Sequence, residues 1–165
     1  MDIDNLSGRQ LGPYELHELL GVGGMGVVYR GYQPKLKRWV AIKVLSTMTL
    51  RRVNYVERFH REAETAGSLE HRHIIPIYDY GTERNTYYVI MRLLEGGTLD
   101  ERMALHVHSE DPLPSLGEIA DVLDQLASAL DYAHSRGVIH RDIKPSNIMF
   151  DTQGSAYIVD FGIAK

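Results

Sequence analysis

Val138-Ile139-His140-Arg141-Asp142-Ile143-Lys144-Pro145-Ser146-Asn147-Ile148-Met149-Phe150, followed by Ile158-Val159-Asp160-Phe161-Gly162, sets two aspartates, an asparagine, a histidine and two cations among apolar residues. These residues alone do not say which chemistry they serve, so their neighbours have to be read with them. Just upstream, Ser115 to Ser135 predicts a long helix: Ile119, Val122, Leu123, Leu126, Leu130 and Ala133 recur at helical spacing. Ser115 and Glu118 make a capping box, and Gly137 stands where a glycine ends a helix. A helix patterned in this way is expected to be buried. Leu99 to His106 reads as a shorter helix after Gly96-Gly97.

Further upstream the pattern changes character near residue 98. Tyr14 to Gly21, Val27 to Tyr32, Arg38 to Leu45, Ile75 to Tyr80 and Thr86 to Arg92 read as strands between turn signals. Val53 to Leu69 is the helical exception, with Val56, Phe59, Ala63 and Ala66 on one face. The run Gly21-Val22-Gly23-Gly24-Met25-Gly26-Val27-Val28-Tyr29 offers a backbone that can approach phosphate closely, because no side chains stand in the way. A dinucleotide-binding fold would open a helix after this run, and a P-loop would follow its last glycine with Lys-Ser or Lys-Thr. Here Val27-Val28-Tyr29 opens a strand, so a flap over phosphates and a plain glycine-rich turn are the readings left.

The strand Trp39-Val40-Ala41-Ile42-Lys43-Val44-Leu45 carries one lysine at its centre. Period-two alternation puts Ala41 and Lys43 on one face and Val40, Ile42 and Val44 on the other. A buried ammonium needs an anion, from a ligand or from a side chain, and Glu62 on the following helix is the candidate partner. Two readings stand at this point: such a pair, or an edge-strand lysine in water with a solvated helix glutamate.

With the glycine run and Val40-Ala41-Ile42-Lys43, the opening stretch resembles the protein-kinase signature set, in order and at matching spacing. The resemblance spans Tyr14 to Lys165. Gly-Gly-Met-Gly and Asp-Phe-Gly-Ile-Ala-Lys are most similar to the bacterial serine/threonine kinases. It implies an α+β fold, with an antiparallel β small lobe carrying one helix over residues 14–92 and a partial, mainly helical large lobe over 93–165. Residues 1–13 would be an extension.

The resemblance also implies roles. Leu20, Gly21, Val22, Gly23, Gly24, Met25, Gly26, Val27 and Val28 would cover ATP. Lys43 would hold its α- and β-phosphates and Glu62 would orient Lys43. Val28 and Ala41 would sandwich adenine from one side, with Met149 on the other. Met91, Leu93 and Glu95 would form the hinge contacts, Met91 guarding the back pocket and Glu95 reaching the ribose. Asp142 would take or orient the proton of the attacking hydroxyl, and Lys144 would contact the γ-phosphate. Asn147 and Asp160 would hold Mg2+, a hard cation suited to oxygen ligands. His140 would pack under Phe161 in a spine with Ala66 and Ile77, and Arg141 resembles the arginine that pairs with a phosphorylated activation loop. Arg92 departs from the pattern, since the family usually has glutamate there. ATP and a protein substrate are the partners expected.

Composition limits the remaining classes. The 165 residues are 44% hydrophobic and 24% charged, with net charge -4. That suits a globular core and gives no basic stripe for nucleic acid. There is no cysteine for a disulfide or thiolate metal site, and Met1-Asp2-Ile3-Asp4 has no signal-peptide character. A cytoplasmic location is expected, with any membrane anchor beyond Lys165. The pairs His71/His73 and His106/His108 lack a third ligand type and read as loop and surface. No Ala-Pro-Glu motif follows Asp160 in this sequence, from which the long helix is expected to expose its apolar stripe, with aggregation or a missing partner as the consequence. The alternative to catalysis is an ATP-binding or interaction fragment without the substrate-binding lobe. A small-molecule phosphotransferase is a third reading, disfavoured by Arg141, Lys144 and Pro145.

Overall fold

A computed structural model describes residues 6–23, 26–45, 55–84, 86–108 and 114–161. Gly24, Met25, Val53 and Gly162 lie outside the described residues, as do the side chains of Val56, His106 and His108. The chain forms two compact units, one from Met1–Gly67 with Pro76–Leu93 and one from Ser68–Ile75 with Leu94–Gly162.

The first unit is a six-stranded antiparallel sheet with one helix. Its strands are β1 (Gln10–Leu11), β2 (Tyr14–Gly23), β3 (Gly26–Gln33), β4 (Arg38–Leu45), β5 (Ile77–Glu83) and β6 (Thr86–Arg92), in the order β1-β2-β3-β4-β6-β5. The alternation read from the sequence holds on β4. Val40, Ile42 and Val44 join Leu11, Tyr14, Leu16, Val27, Tyr29, Tyr88 and Ile90 in one buried cluster. Ala41 and Lys43 face the other way, as period two requires. Helix α1 (Tyr55–Gly67) buries Phe59, Ala63 and Ala66, and Phe59 meets the rings of Tyr80 and Tyr87 edge-on. Burying such aromatic and methyl groups fastens the helix to the β5–β6 hairpin.

β5 begins two residues later than the sequence suggested. Pro76 has no N–H to give a ladder, and the apolar pair before it belongs to the second unit. There Ile74 bridges Ile158, and the Ile75 N–H donates to the Ile158 carbonyl at 3.0 Å. The residues ahead of Tyr14 are likewise more than a tail, because Leu11 is part of the core and Leu6 packs on it.

The second unit has helices α2 (Leu99–His108) and α3 (Leu116–Ser135) and a short hairpin of β7 (Ile148–Phe150) and β8 (Ala156–Ile158). Both expected ends of α3 are present. Ser115 and Glu118 exchange hydrogen bonds in a capping box. At the other end the Gly137 and Val138 N–H groups donate to the carbonyls of His134 and Ala133, with Gly137 at φ +74°, a Schellman turn. α3 is buried only in part, which corrects the expectation of burial and agrees with that of an exposed apolar stripe. Ala129 and Ala133 are buried, and Val122 and Leu126 lie half-buried against Ile148, Phe150 and Ala156. Leu116, Ile119 and Leu123 are 86%, 43% and 60% exposed. The helical period puts more apolar positions on α3 than the narrow β7–β8 hairpin can cover.

Candidate active site

In the second unit, the residues between α3 and β7 gather on one carboxylate. Lys144 Nζ lies 3.3 Å from Asp142 Oδ2. Asn147 Nδ2 donates to the Asp142 main-chain carbonyl at 2.8 Å and to Oδ2 at 3.2 Å. Two acceptors on one side fix the orientation of this amide, since only its nitrogen can donate to them. The amide oxygen Oδ1 is therefore the end turned away from Asp142. Asn147 is buried, whereas Asp142 is half-buried and Lys144 exposed, so a rigid anchor supports a carboxylate that still meets solvent.

The neighbouring backbone is held by a buried histidine. His140 Nδ1 accepts from the Asp142 N–H at 3.2 Å, and Nε2 donates to the Val159 carbonyl at 2.8 Å. Both bonds require the tautomer with its proton on Nε2. The ring stands edge-on to Phe161, with centroids 4.7 Å apart. The Val159 N–H in turn donates to the Asn147 carbonyl at 3.0 Å, so the residue before Asp160 is tied to Asn147. Arg141 and Asp160 take positive φ, +66° and +63°, costly conformations for residues with a Cβ, of a kind that concentrates at functional sites. Asn147 Oδ1 and the Asp160 carboxylate are hard oxygen donors, which fits a divalent cation such as Mg2+.

In the first unit, Lys43 is 4% exposed on a central strand, because β4 runs between β3 and β6. The edge-strand reading of this lysine is therefore excluded. Directly opposed residues share a face of a sheet. Lys43 opposes Val28 and Val89, and Ala41 opposes Met91. Val28, Ala41, Lys43 and Met91 thus lie on the face opposite the buried cluster. Glu62 is half-buried on α1, on the flank of the Phe59–Ala63–Ala66 stripe. At about 100° per residue it is turned some 60° from Phe59.

The glycine run forms the end of the β2–β3 hairpin, where Gly21 opposes Val28, Val22 opposes Val27 and Gly23 opposes Gly26. The register slips twice between Leu16 and Gly21, which bends the hairpin. Leu20 falls at the second slip and is exposed, as are Gly21, Val22 and Gly23. A Cβ on Gly26 would run into the Val44 carbonyl, so that glycine is required by the backbone itself. Leu93 ends the first unit and is half-buried, Glu95 is exposed in the second, and Met149 is half-buried on β7 opposite Tyr157.

The histidine pair lies in a loop as expected, with His71 half-buried and only His73 withdrawn from the surface. His73 is buried with Nδ1 2.9 Å from the Ala156 carbonyl. His71 Nδ1 accepts the His73 N–H, and Nε2 lies 3.1 Å from Ser128 Oγ. Burial, helped by His73 and Arg72, pushes the His71 pKa below its ordinary value. Among the described residues no group of three His, Cys, Asp or Glu could hold a metal. One feature at the start of α2 escaped the sequence reading. Thr98 and Glu101 exchange hydrogen bonds at 2.8 and 3.1 Å, and Thr-x-x-Glu was the signal for it.

A family model described as the protein kinase domain matches residues 14–165. Serine/threonine-protein kinase PknD of Mycobacterium tuberculosis is 44% identical over 158 residues, 96% of this chain and 23% of that protein. Serine/threonine-protein kinase PknH of Mycobacterium bovis is 43% identical over 163 residues, 98% of this chain and 26% of that protein. A crystal structure of the PknI kinase domain of Mycobacterium tuberculosis superposes with a TM-score of 0.84 at 34% identity, covering 96% of this chain and 62% of that one. The chain thus spans about a quarter of the length of these curated relatives.

Proposed function

The chain belongs to the protein kinase family and has its fold, an antiparallel β small lobe and a partial helical lobe, and on that premise we propose that it serves ATP-dependent phosphorylation of serine and threonine hydroxyls in proteins. The observation that carries this reading is the pair of donors on one carboxylate. Asn147 and Lys144 both reach Asp142 Oδ2, so the carboxylate is aimed while half-buried.

Asp142 would accept the proton of the substrate hydroxyl as its oxygen forms a bond to the γ-phosphorus. The bond from that phosphorus to the β–γ bridging oxygen breaks, ADP leaves, and the proton stays on the carboxylate. Lys144 would offset charge on the transferred group. Lys43, oriented by Glu62, would hold the α- and β-phosphates, beneath backbone N–H groups of the residue 20–28 hairpin. Val28, Ala41 and Met149 would take adenine between apolar surfaces, and Met91, Leu93 and Glu95 would meet the nucleoside edge. Asn147 and Asp160 would hold Mg2+, which when bound neutralises phosphate charge.

The test is nucleotide-dependent stabilisation. A ligand selective for the folded state raises its melting temperature, so Mg-ATP should raise that of the wild type and not that of Lys43→Met. Equal behaviour of the two would remove Lys43 from the ATP site, and no rise in either would remove ATP binding.

A further inference from the structure

The loop at residues 94–98 carries Glu95 ahead of α2, and β7 carries Met149; both are assigned above to the nucleoside. Loop and strand are joined backbone to backbone. The Gly96 N–H donates to the Phe150 carbonyl and the Phe150 N–H to the Gly97 carbonyl, each at 2.9 Å, and Thr98 bridges Met149. A Cβ on Gly96 would run into the Asp151 carbonyl, and Gly97 takes φ +76°. Glycine is therefore needed at both positions, and neither offers a side chain with which to hold the turn. Glycine is also the residue with most conformational freedom to lose.

Arg102 adds a side-chain hold on Gly96 from α2. Its Nε and Nη2 both donate to the Gly96 carbonyl, at 3.2 and 3.0 Å. The guanidinium carbon lies 3.6 Å from the centroid of the Phe150 ring, and the side chain is half-buried. One planar cation thus grips the loop by its fork and the strand by its face, a combination that lysine cannot reproduce. We infer that Arg102 is a positioning residue for the nucleoside end of the ATP site, acting through Gly96 and Phe150 to hold the Glu95 loop against the Met149 strand. This rests on the reading of the chain as an ATP-binding kinase.

The test is calorimetric binding of Mg-ATP, adenosine and Mg-tripolyphosphate to the wild type, Arg102→Met, Arg102→Lys and Lys43→Met. Arg102→Met should weaken ATP and adenosine alike by about tenfold, the scale of one lost hydrogen bond to a charged group, and leave tripolyphosphate unchanged. Arg102→Lys, which keeps the charge and serves if the methionine variant does not fold, should fall between. Wild-type adenosine affinity in both variants would overturn the inference. So would an equal loss for all three ligands, which is general damage and not positioning. If the wild type binds none of the three, or if Lys43→Met binds Mg-ATP and Mg-tripolyphosphate as the wild type does, the kinase reading itself fails. A nucleoside-selective loss confined to the Arg102 variants supports the inference.

Discussion

Asn147 donates one amide nitrogen to two acceptors of Asp142, its main-chain carbonyl and its carboxylate. This side chain ties the loop's backbone to its carboxylate. Asn147→Asp puts an acceptor where a donor is needed, against a carbonyl and a like charge. Burial makes that mismatch costly, and the variant should lose ~2 kcal/mol of stability, read from urea denaturation, together with phosphoryl transfer.

Lys144 presents the opposite case. Its contact with Asp142 Oδ2 is largely exposed, with side-chain exposures of 51% and 27%, and such pairs add little to stability. Lys144→Met should leave the unfolding free energy within ~0.5 kcal/mol of the wild type while transfer falls by about a hundredfold or more. A matching collapse of stability would make the lysine structural.

The two faces of α3 should respond differently to substitution. Leu126 packs half-buried against the β7–β8 hairpin, and Leu126→Ala should cost ~2 kcal/mol. Leu123 is 60% exposed, and Leu123→Gln should change stability by less than ~0.5 kcal/mol. Thermal or urea melts of the two variants decide the matter.

His71 makes stability depend on pH, with a sign that follows from its surroundings. Its folded pKa lies below the ordinary 6.5, chiefly through burial, so around that pH the unfolded chain holds more protons. Stability from this group is then fully present above 6.5 and is lost as pH falls below it. Melts at about pH 5.5 and about pH 7.5 should show the lower value at acid pH, and His71→Gln should reduce that difference.

Tyr14 acts at the alkaline end. Burial, followed by the hydrogen bond from its hydroxyl to Asp79, pushes its pKa from 10.0 up to about 12. The unfolded chain ionises first, so stability should fall as pH rises from 10 towards 12. Ultraviolet titration should show late-ionising tyrosines, with Tyr80 and Tyr88 also raised, and the amplitude near pH 12 should shrink by one tyrosine in Tyr14→Phe.

Much of this was legible in the sequence, because local rules and tertiary demands agree. The alternation around Lys43 sorted the residues of β4 between its two faces, and Ser115, Glu118 and Gly137 marked the ends of α3 through capping chemistry. What was not legible depends on partners distant in the chain. Ile75 left the expected strand because its backbone N–H donates to the Ile158 carbonyl. The strands β7 and β8, three residues each, are too short for a periodic signal. The residues at the candidate site were named from resemblance. Neither spacing nor pattern could reveal that Asn147 and Lys144 meet on Asp142 Oδ2, or that Arg102 grips Gly96.

The most direct test of the central claim is transfer of radiolabelled γ-phosphate from Mg-ATP to a serine- and threonine-containing protein, by the wild type and by Asp142→Asn, with ATP binding measured on both. The account predicts label on serine or threonine with the wild type, and retained ATP binding with no label for the variant. Undiminished labelling by Asp142→Asn, or ATP binding by the wild type without any transfer, would contradict it.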